Sequence, residues 1–270
     1  MISLLNEVMT SDTIKKIKTT KKNLLINKIN LILKIKLPYP LKRCYNSIIP
    51  LNIFQTWHTK NLPPNMLKTV NMIKYNNPAF KYYLYDDDDC RNFIKDNFRE
   101  EVLNAFDTLI PGAYKADLWR YCVLYKLGGI YLDIKYKPLN QFKFITLTEK
   151  EHWVLDADGD GIYNAVMVCL PYNEILNSAI YKIVENVKNR YYGPTCLYPT
   201  GPGLLSQLFS PEDKAKFDMY HNFYMNYDNR FVYLNNYIIF KSYNGYLHEH
   251  NCNKKVDHYS ILWGNNKIYN

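Results

Sequence analysis

Charged side chains that could bind hydroxyl and phosphate groups are concentrated between residues 112 and 137. Asp117 and Arg120 lie three residues apart in a segment with helical periodicity, so their side chains share one side of the helix. Asp133 and Lys135 lie two residues apart in an alternating segment, which puts both on one side of a strand. Carboxylates and cationic side chains hold polar ligands through charge-assisted hydrogen bonds. The stretch therefore predicts a ligand site.

A helix followed directly by a buried strand is predicted to position these groups. The apolar residues of the helix recur at three- and four-residue spacing and are expected to form its buried face: Ala116, Trp119, Val123 and Leu127. Gly128 and Gly129 follow, where a helix end favours positive φ. The period then changes to two, with the apolar side of the strand formed by Ile130, Leu132 and Ile134. Ligands of α/β proteins bind beyond the carboxyl ends of strands, so this strand is expected to end at a crevice.

The sequence ADLWRYCVLYKLGGIYLDIK, residues 116–135, resembles the sugar-binding region of glycosyltransferase family 32, the group around fungal α-mannosyltransferases and capsular polysaccharide enzymes. It is also similar to the nucleotide-sugar site of the large clostridial glucosylating toxins. The resemblance implies an α/β protein of GT-A type, with a mixed, mostly parallel central sheet and helices on both faces. It further implies sugar transfer from a nucleotide-sugar donor to a glycan, glycolipid or protein acceptor, with retention of configuration.

The same resemblance assigns roles to individual residues. Asp117 and Arg120 match the family's D-x-x-R, which holds the donor sugar, and Asp133 matches the first acid of D-x-D, which holds the nucleotide and a divalent cation. Lys135 stands where the second acid is expected. Two hypotheses follow: an Mn²⁺ or Mg²⁺ site is rebuilt from Asp133 with Asp257 or His258, or Lys135 itself holds the diphosphate without a metal.

The first predicted strand ends in Gln55, Thr56 and Trp57, which resemble the family's opening I-P-x-x-I-x-Q-T-W segment and are predicted to contact the donor. The resemblance places Trp57 near the nucleotide base, on which an indole can stack; the alternative is a core tryptophan. Tyr131, on the same side of its strand as Asp133, is predicted as a further substrate contact.

Three later segments extend the resemblance. Asn164 matches an asparagine of the family and is predicted on the acceptor side, and residues 198–203 resemble its T-G-P segment. The residues from Asp156 to Gly161 predict a tight turn, with a calcium loop or a contact of Asp156 or Asp158 to a donor or acceptor sugar as alternatives. Residues 257–263 resemble the family's closing H-x-x-x-x-W element, which implies a metal or phosphate contact for His258 and a substrate contact for Trp263. The alternative for His258 is a structural role.

Four consecutive acids, Asp86 to Asp89, precede a predicted helix. They could form a metal site, but an N-cap followed by an acidic first turn is the preferred interpretation, since the helix dipole favours negative charge there. Family members also carry L-Y-D-D at this helix start. The sequence therefore predicts a structural role for these acids.

The net charge of +9 comes almost entirely from residues 1–47, which hold ten of the 34 Lys and Arg residues and two of the 25 acids. This segment predicts one or two basic amphipathic helices, which either pack on the domain or contact an anionic membrane surface. Nucleic-acid binding is not expected, because no binding motif or aromatic interleaving accompanies the charge.

The predicted organisation is a leader, residues 1–47, followed by one catalytic domain, residues 48–270. Six scattered cysteines without a C-x-x-C motif fit a reducing compartment. Neither a signal peptide nor a membrane-spanning helix is expected, so the chain is predicted to be cytoplasmic or peripherally attached to a membrane. The alternative to an enzyme is a degenerate module that binds a nucleotide sugar or a glycan, since Lys135 replaces the second acid.

Overall fold

The computed structural model describes residues 37–159, 161–224 and 226–270. The strands are β1 (Asn52–Thr56), β2 (Lys81–Tyr85), β3 (Gly129–Leu132), β4 (Tyr136–Pro138), β5 (Val154–Leu155), β6 (Val166–Cys169), β7 (Met219–Tyr224), β8 (Asn226–Leu234) and β9 (Tyr237–Ser242). The helices are α1 (Pro64–Asn76), α2 (Asp87–Asn97), α3 (Glu100–Thr108), α4 (Gly112–Leu127), α5 (Glu174–Lys188), α6 (Pro202–Ser206), α7 (Pro211–Lys214), α8 (Tyr246–Asn253) and α9 (Tyr259–Gly264).

The central sheet has the strand order β2-β1-β3-β6. Strand β1 is parallel to both β2 and β3, whereas β6 runs antiparallel to β3. The predicted α/β class with a mixed, mostly parallel sheet is therefore confirmed. Because β1 and β3 are parallel, the residues that follow them lie at the same edge of the sheet.

A second sheet, with the order β4-β9-β8-β7-β5, was not predicted from the sequence. Its centre is the antiparallel hairpin of β8 and β9, whose turn contains Asn235 and Asn236, both with positive φ. Asparagine tolerates this conformation better than most residues do, so the turn is formed without glycine. The turn lets the segment from β8 to β9 fold back on itself as two paired strands.

The two faces of the central sheet are covered differently. Alternate residues on one face pack against the helices α2 to α5, as Phe54, Tyr131 and Met167 do. The residues between them, including Ile53, Ile130 and Val166, pack against α1 and the second sheet. The central strands are apolar on both faces for this reason.

Helix α4 joins β3 through the two predicted glycines. Gly128 has φ of 58° and caps the helix, and Gly129 has φ of 125°. A Cβ atom on Gly129 would lie 2.7 Å from the backbone oxygen of Asn52, so only glycine fits between β3 and β1. The predicted apolar stripe is wrong at one end, because Leu127 is 40% exposed, while every residue from Leu118 to Leu124 is buried.

Strand β3 is shorter than the alternation indicated. It ends at Leu132, and the backbone N–H of Tyr136 donates to the carbonyl of Asp133 at 3.0 Å, which closes a turn. Lys135 therefore lies in this turn and not on the strand. The turn still brings Lys135 to the side chain of Asp133.

The acids before α2 form an N-cap, as predicted. The side chain of Asp86 accepts from the backbone N–H of Asp89 at 2.9 Å, and the side chain of Asp89 accepts from the backbone N–H of Asp86 at 3.2 Å. This reciprocal arrangement is a capping box. Asp87 and Asp88 occupy the first turn of the helix.

Residues 37–47, the end of the predicted leader, contain no helix and lie against the domain. The hydroxyl groups of Ser47 and Thr148 are 2.7 Å apart, and Tyr39 packs edge-on against Phe142. The expected amphipathic helices otherwise fall on residues 1–36, outside the described residues, so the membrane contact stays a prediction. None of the described helices has both the length and the apolar character needed to cross a bilayer.

Candidate active site

A cleft opens where β1 and β3 end, and it consists of two adjoining cavities. The larger has a volume of about 690 Å³ and the smaller about 400 Å³. The walls of both include Arg120, Asp133 and Lys135. We call the residues that line both cavities the shared wall; the others are Ala113, Tyr246, His250, Lys254, His258 and Tyr259.

Asp117 and Arg120, one turn apart on α4, point into this cleft as predicted. A guanidinium nitrogen of Arg120 lies 3.4 Å from the Oδ1 of Asp117, and another lies 3.4 Å from the Oδ1 of Asp133. The same guanidinium donates to the backbone carbonyl of Asn164 at 2.8 Å and lies over the ring of Tyr131 at 4.3 Å. Arg120 thus links α4 to the turn that follows β3 and to the loop that precedes β6.

Asp117 is almost fully enclosed by donors. The side chain of Asn164 donates to its Oδ1 at 2.9 Å, and the hydroxyl of Thr200 donates to its Oδ2 at 2.7 Å. Burial raises the pKa of Asp117, and Arg120, Thr200 and Asn164 offset that effect only in part. Gly201 lies against the same carboxylate and lines the larger cavity, so the T-G-P segment borders the site.

Asp133 is held by two cations and a phenol. Its Oδ2 contacts the ammonium of Lys135, and its Oδ1 accepts from the hydroxyl of Tyr131 at 2.6 Å. Burial alone would raise the pKa of Asp133, but Lys135 and then Arg120 hold it below the ordinary value. Burial likewise opposes the charge on Lys135, and Asp133 outweighs it, so the pKa of Lys135 is raised. The two groups form an ion pair.

The residues present do not fit the divalent cation that the D-x-D pattern implies. Both oxygens of Asp133 already have partners, and the position two residues later supplies an ammonium, which cannot bind a metal. Asp257 is exposed and lies 3.7 Å from Lys254, while the Nδ1 of His258 is 2.8 Å from the hydroxyl of Ser260. Across the described ranges, no three His, Cys, Asp or Glu side chains are grouped to hold a metal ion.

The smaller cavity extends to the end of β1, where Thr56 and Trp57 line it. Their contact with a donor stays a prediction. The indole N–H of Trp57 is buried and has no hydrogen-bond partner among the described residues. The hydroxyl of Thr56 donates to the carbonyl of Tyr85 at 2.9 Å, so its side chain is held in place by the neighbouring strand. An unpaired buried donor costs free energy that an incoming ligand acceptor would recover.

The prediction that Gln55 contacts the donor is not supported by its position. Gln55 is fully buried and lines neither cavity; its amide donates to the carbonyl of Leu132 at 3.1 Å and accepts from the hydroxyl of Tyr82 at 2.7 Å. Successive side chains of a strand point to opposite faces, and Gln55 faces away from the cleft. It links β1 to its neighbours instead.

Trp263 is also placed away from the cleft. Its indole N–H donates to the carbonyl of Tyr192 at 2.6 Å, and its ring packs against the core beneath α4 and α5. His258, five residues earlier, does line both cavities, but it also caps α9 by accepting from the backbone N–H of Ser260. The closing segment therefore contributes His258 and not Trp263 to the site.

The larger cavity extends away from the shared wall towards Asp156, Asp158 and His221. The Nδ1 of His221 lies 2.9 Å from the Oδ1 of Asp156, and its ring stacks on Tyr163 at 3.8 Å. The Nε2 of His221 is buried without a partner among the described residues. Burial lowers the pKa of His221 despite the opposing effect of Asp156, so the imidazole is neutral at pH 7.

Several residues of the cleft were missed by the sequence analysis: Tyr163, His221, Arg230, Tyr246, His250 and Tyr259. His221 and Arg230 lie on β7 and β8 of the second sheet, whose pairing no local pattern indicated. Tyr246 and His250 lie on α8, which is tied to α1 by Glu249; this carboxylate accepts from the backbone N–H groups of Asn65 and Met66 at 2.9 and 3.2 Å. No short motif could have located them.

Known proteins are similar to this chain over the segment that contains Asp117, Arg120 and Asp133. Residues 63–154 match the family model described as the glycosyltransferase sugar-binding region containing the DXD motif. Inositol phosphoceramide mannosyltransferase 2 of Schizosaccharomyces pombe is 32% identical over 164 residues, 60% of this chain and 46% of that protein. Glycosyltransferase L373 of Acanthamoeba polyphaga mimivirus is 38% identical over 89 residues, 32% of this chain and 36% of that protein.

The predicted resemblance to sugar-transferring proteins of the DXD type is thus confirmed. The chain spans about half the length of the curated mannosyltransferases that it matches. Among solved structures, the PaToxG glycosyltransferase matches with a TM-score of 0.47 and 17% identity, covering 72% of this chain and 78% of that one.

Proposed function

We propose that this chain is a glycosyltransferase that moves a sugar from a nucleotide-sugar donor to a carbohydrate, glycolipid or protein acceptor. The observation that carries the proposal is the convergence of Asp117, Arg120 and Asp133 on one cleft at the carboxyl ends of β1 and β3. These are the three residues that match the sugar-binding pattern, and they come from two separate elements.

The donor is proposed to lie across the shared wall. In this placement the nucleotide base occupies the smaller cavity beside Trp57, and the diphosphate lies against Lys135 and Arg120. The sugar hydroxyls bind to Asp117 and Arg120, and the ribose lies near Asp133 and Tyr131. The leaving diphosphate gains negative charge as the glycosidic bond breaks, and cations that are already in place stabilise that charge without reorganising.

The acceptor is proposed to enter the larger cavity from the side of Asp156, Asn164 and His221. A neutral imidazole whose Nδ1–H donates to Asp156 leaves its Nε2 as a hydrogen-bond acceptor. A hydroxyl of the acceptor would satisfy this buried nitrogen. With retention of configuration, the attacking oxygen of the acceptor approaches the face that the diphosphate leaves, and its proton passes to the departing phosphate. His221 orients the acceptor by accepting from a different hydroxyl of the same molecule.

Replacing His221 with Phe should raise the acceptor KM about tenfold, the cost of one lost hydrogen bond at a buried acceptor. The donor Kd should not change. Because burial lowers the pKa of His221, its protonation falls at a lower pH than that of an ordinary histidine. Acidification through that range should raise the acceptor KM of the wild type, whereas the variant should lack this pH dependence. Initial-rate kinetics between pH 5 and pH 8 measure both effects.

His152 provides a matched control for that experiment. Its Nδ1 lies 3.0 Å from the Oδ1 of Asp218, and it is buried like His221, but it lines neither cavity. His152→Phe should lower stability while leaving the acceptor KM unchanged. Equal KM changes in the two variants would refute a role for His221 in acceptor binding.

The proposed activity is tested by screening nucleotide sugars, mannose donors included because the matched relatives are named mannosyltransferases. A donor present at one hundred times its Kd should add about 2.7 kcal/mol of stability, which a thermal shift detects. Each stabilising donor is then incubated with the protein alone. Slow release of free sugar supports a transferase, whereas binding without any release indicates a degenerate binding module. NMR of a transfer product reports retention or inversion.

A further inference from the structure

Lys135 is a buried cation at the centre of the cleft. It is 7% exposed, its ammonium contacts the Oδ2 of Asp133, and it lies 5.3 and 5.5 Å from the ring centres of Tyr136 and Tyr163. A buried lysine is costly unless it is paired, and here one carboxylate and two aromatic faces stabilise it. The position is therefore built to hold a positive charge.

The charge of the shared wall matches an anion. Among the described residues, the cations that line both cavities are Arg120, Lys135 and Lys254, and the only carboxylate that does so is Asp133. Three cations against one carboxylate leave two positive charges. Burial lowers the pKa of both His250 and His258, so they add no charge at pH 7. A diphosphate group has the complementary charge.

A metal ion bound at Asp133 would be repelled by the positive charges of Lys135 and Arg120. A divalent ion on Asp133 would have to displace Lys135 or Arg120, or lie beside both. Either arrangement removes a favourable ion pair or creates repulsion between cations. The ammonium, by contrast, has three N–H donors, of which the contact with Asp133 uses one.

We propose that Lys135 supplies the positive charge that a divalent ion supplies in D-x-D transferases, so that this chain binds its nucleoside diphosphate without a metal. The inference rests on the proposed function, because it assumes that a nucleoside diphosphate occupies the shared wall. Asp133 then acts as the group that holds the ammonium of Lys135 in place.

Titration calorimetry with the full chain tests this inference, with GDP and UDP as probes, in EDTA and in Mn²⁺. The wild type should bind one of them with the same Kd in both conditions. Lys135→Asp recreates D-x-D, so its affinity should fall at least tenfold in EDTA and recover in Mn²⁺. Lys135→Met should lose about tenfold or more in both conditions, the value of a charge-assisted hydrogen bond. Lys135→Arg, which keeps the charge, should stay independent of metal.

The outcomes separate the two proposals. Wild-type affinity that rises tenfold or more with Mn²⁺ would overturn the inference about Lys135 and leave the proposed function standing. Binding of neither nucleotide in either condition would overturn both. Thermal denaturation shows whether each variant is folded, and the comparison of EDTA with Mn²⁺ on the wild type decides the question even where a variant is not.

Discussion

Replacing Arg120 with Met is expected to lower the free energy of unfolding by about 3–5 kcal/mol and to abolish sugar transfer. Arg120 is 5% exposed, and its guanidinium lies within 3.4 Å of the carboxylates of both Asp117 and Asp133. Methionine is similar in length but leaves the buried carboxylate of Asp117 and the half-buried carboxylate of Asp133 without this cation. Urea denaturation followed by circular dichroism measures the loss.

Arg91 is the matched control for stability. It makes two hydrogen bonds to Asp107, at 2.8 and 2.6 Å, but both side chains are more than a third exposed. Because solvent screens exposed ion pairs, Arg91→Met should leave the denaturation midpoint nearly unchanged. Asp117→Asn should lower the free energy of unfolding less in the Arg120→Met variant than in the wild type. In the variant, the substitution removes a carboxylate that has already lost its cationic partner. Similar losses for the two arginines would contradict the proposed central role of Arg120.

Replacing Asp133 with Asn is expected to reduce transfer about 10²- to 10³-fold while the protein remains folded. Asparagine keeps the shape of the side chain and can still accept from Tyr131, but it lacks the charge that orders Lys135 and Arg120. The two cations then no longer point together at the leaving diphosphate. Product formation at saturating donor and acceptor measures the effect on kcat.

Asp96 serves as the control for that variant, because it is exposed on α2 and lines neither cavity. Asp96→Asn should retain full activity. If Asp133→Asn kept a third or more of the wild-type rate, Asp133 would have no part in ordering the site, and the donor would have to be placed elsewhere in the cleft.

The site residues that could be predicted are those set by local spacing. Asp117 and Arg120 share a helix side because they are one turn apart, and Asp133 lies near them because two glycines return the chain directly into β3. Gln55 and Trp263 were predicted only through the segments that contain them. The side chains of Gln55 and Trp263 both face the protein interior. A match of residue types does not show how a strand or helix is rotated about its axis.

His221, Arg230 and the residues of α8 could not be predicted in the same way. They reach the cleft through the pairing of β7 with β5 and of β9 with β4, and through the contact of Glu249 with α1, which join residues far apart in the chain. Such contacts depend on the packing of whole elements. Neither the spacing of residues nor the composition of the sequence indicates these contacts.

The sequence alone determined the order of helix, glycine turn and strand, because periodicity and glycine positions act over a few residues. Its resemblance to the sugar-binding pattern supplied the α/β class and the three charged residues. It left open whether Lys135 disables the D-x-D site or replaces its metal. Only the tertiary structure bears on that choice, since the turn after β3 brings the ammonium of Lys135 onto Asp133 and burial makes the pairing obligatory.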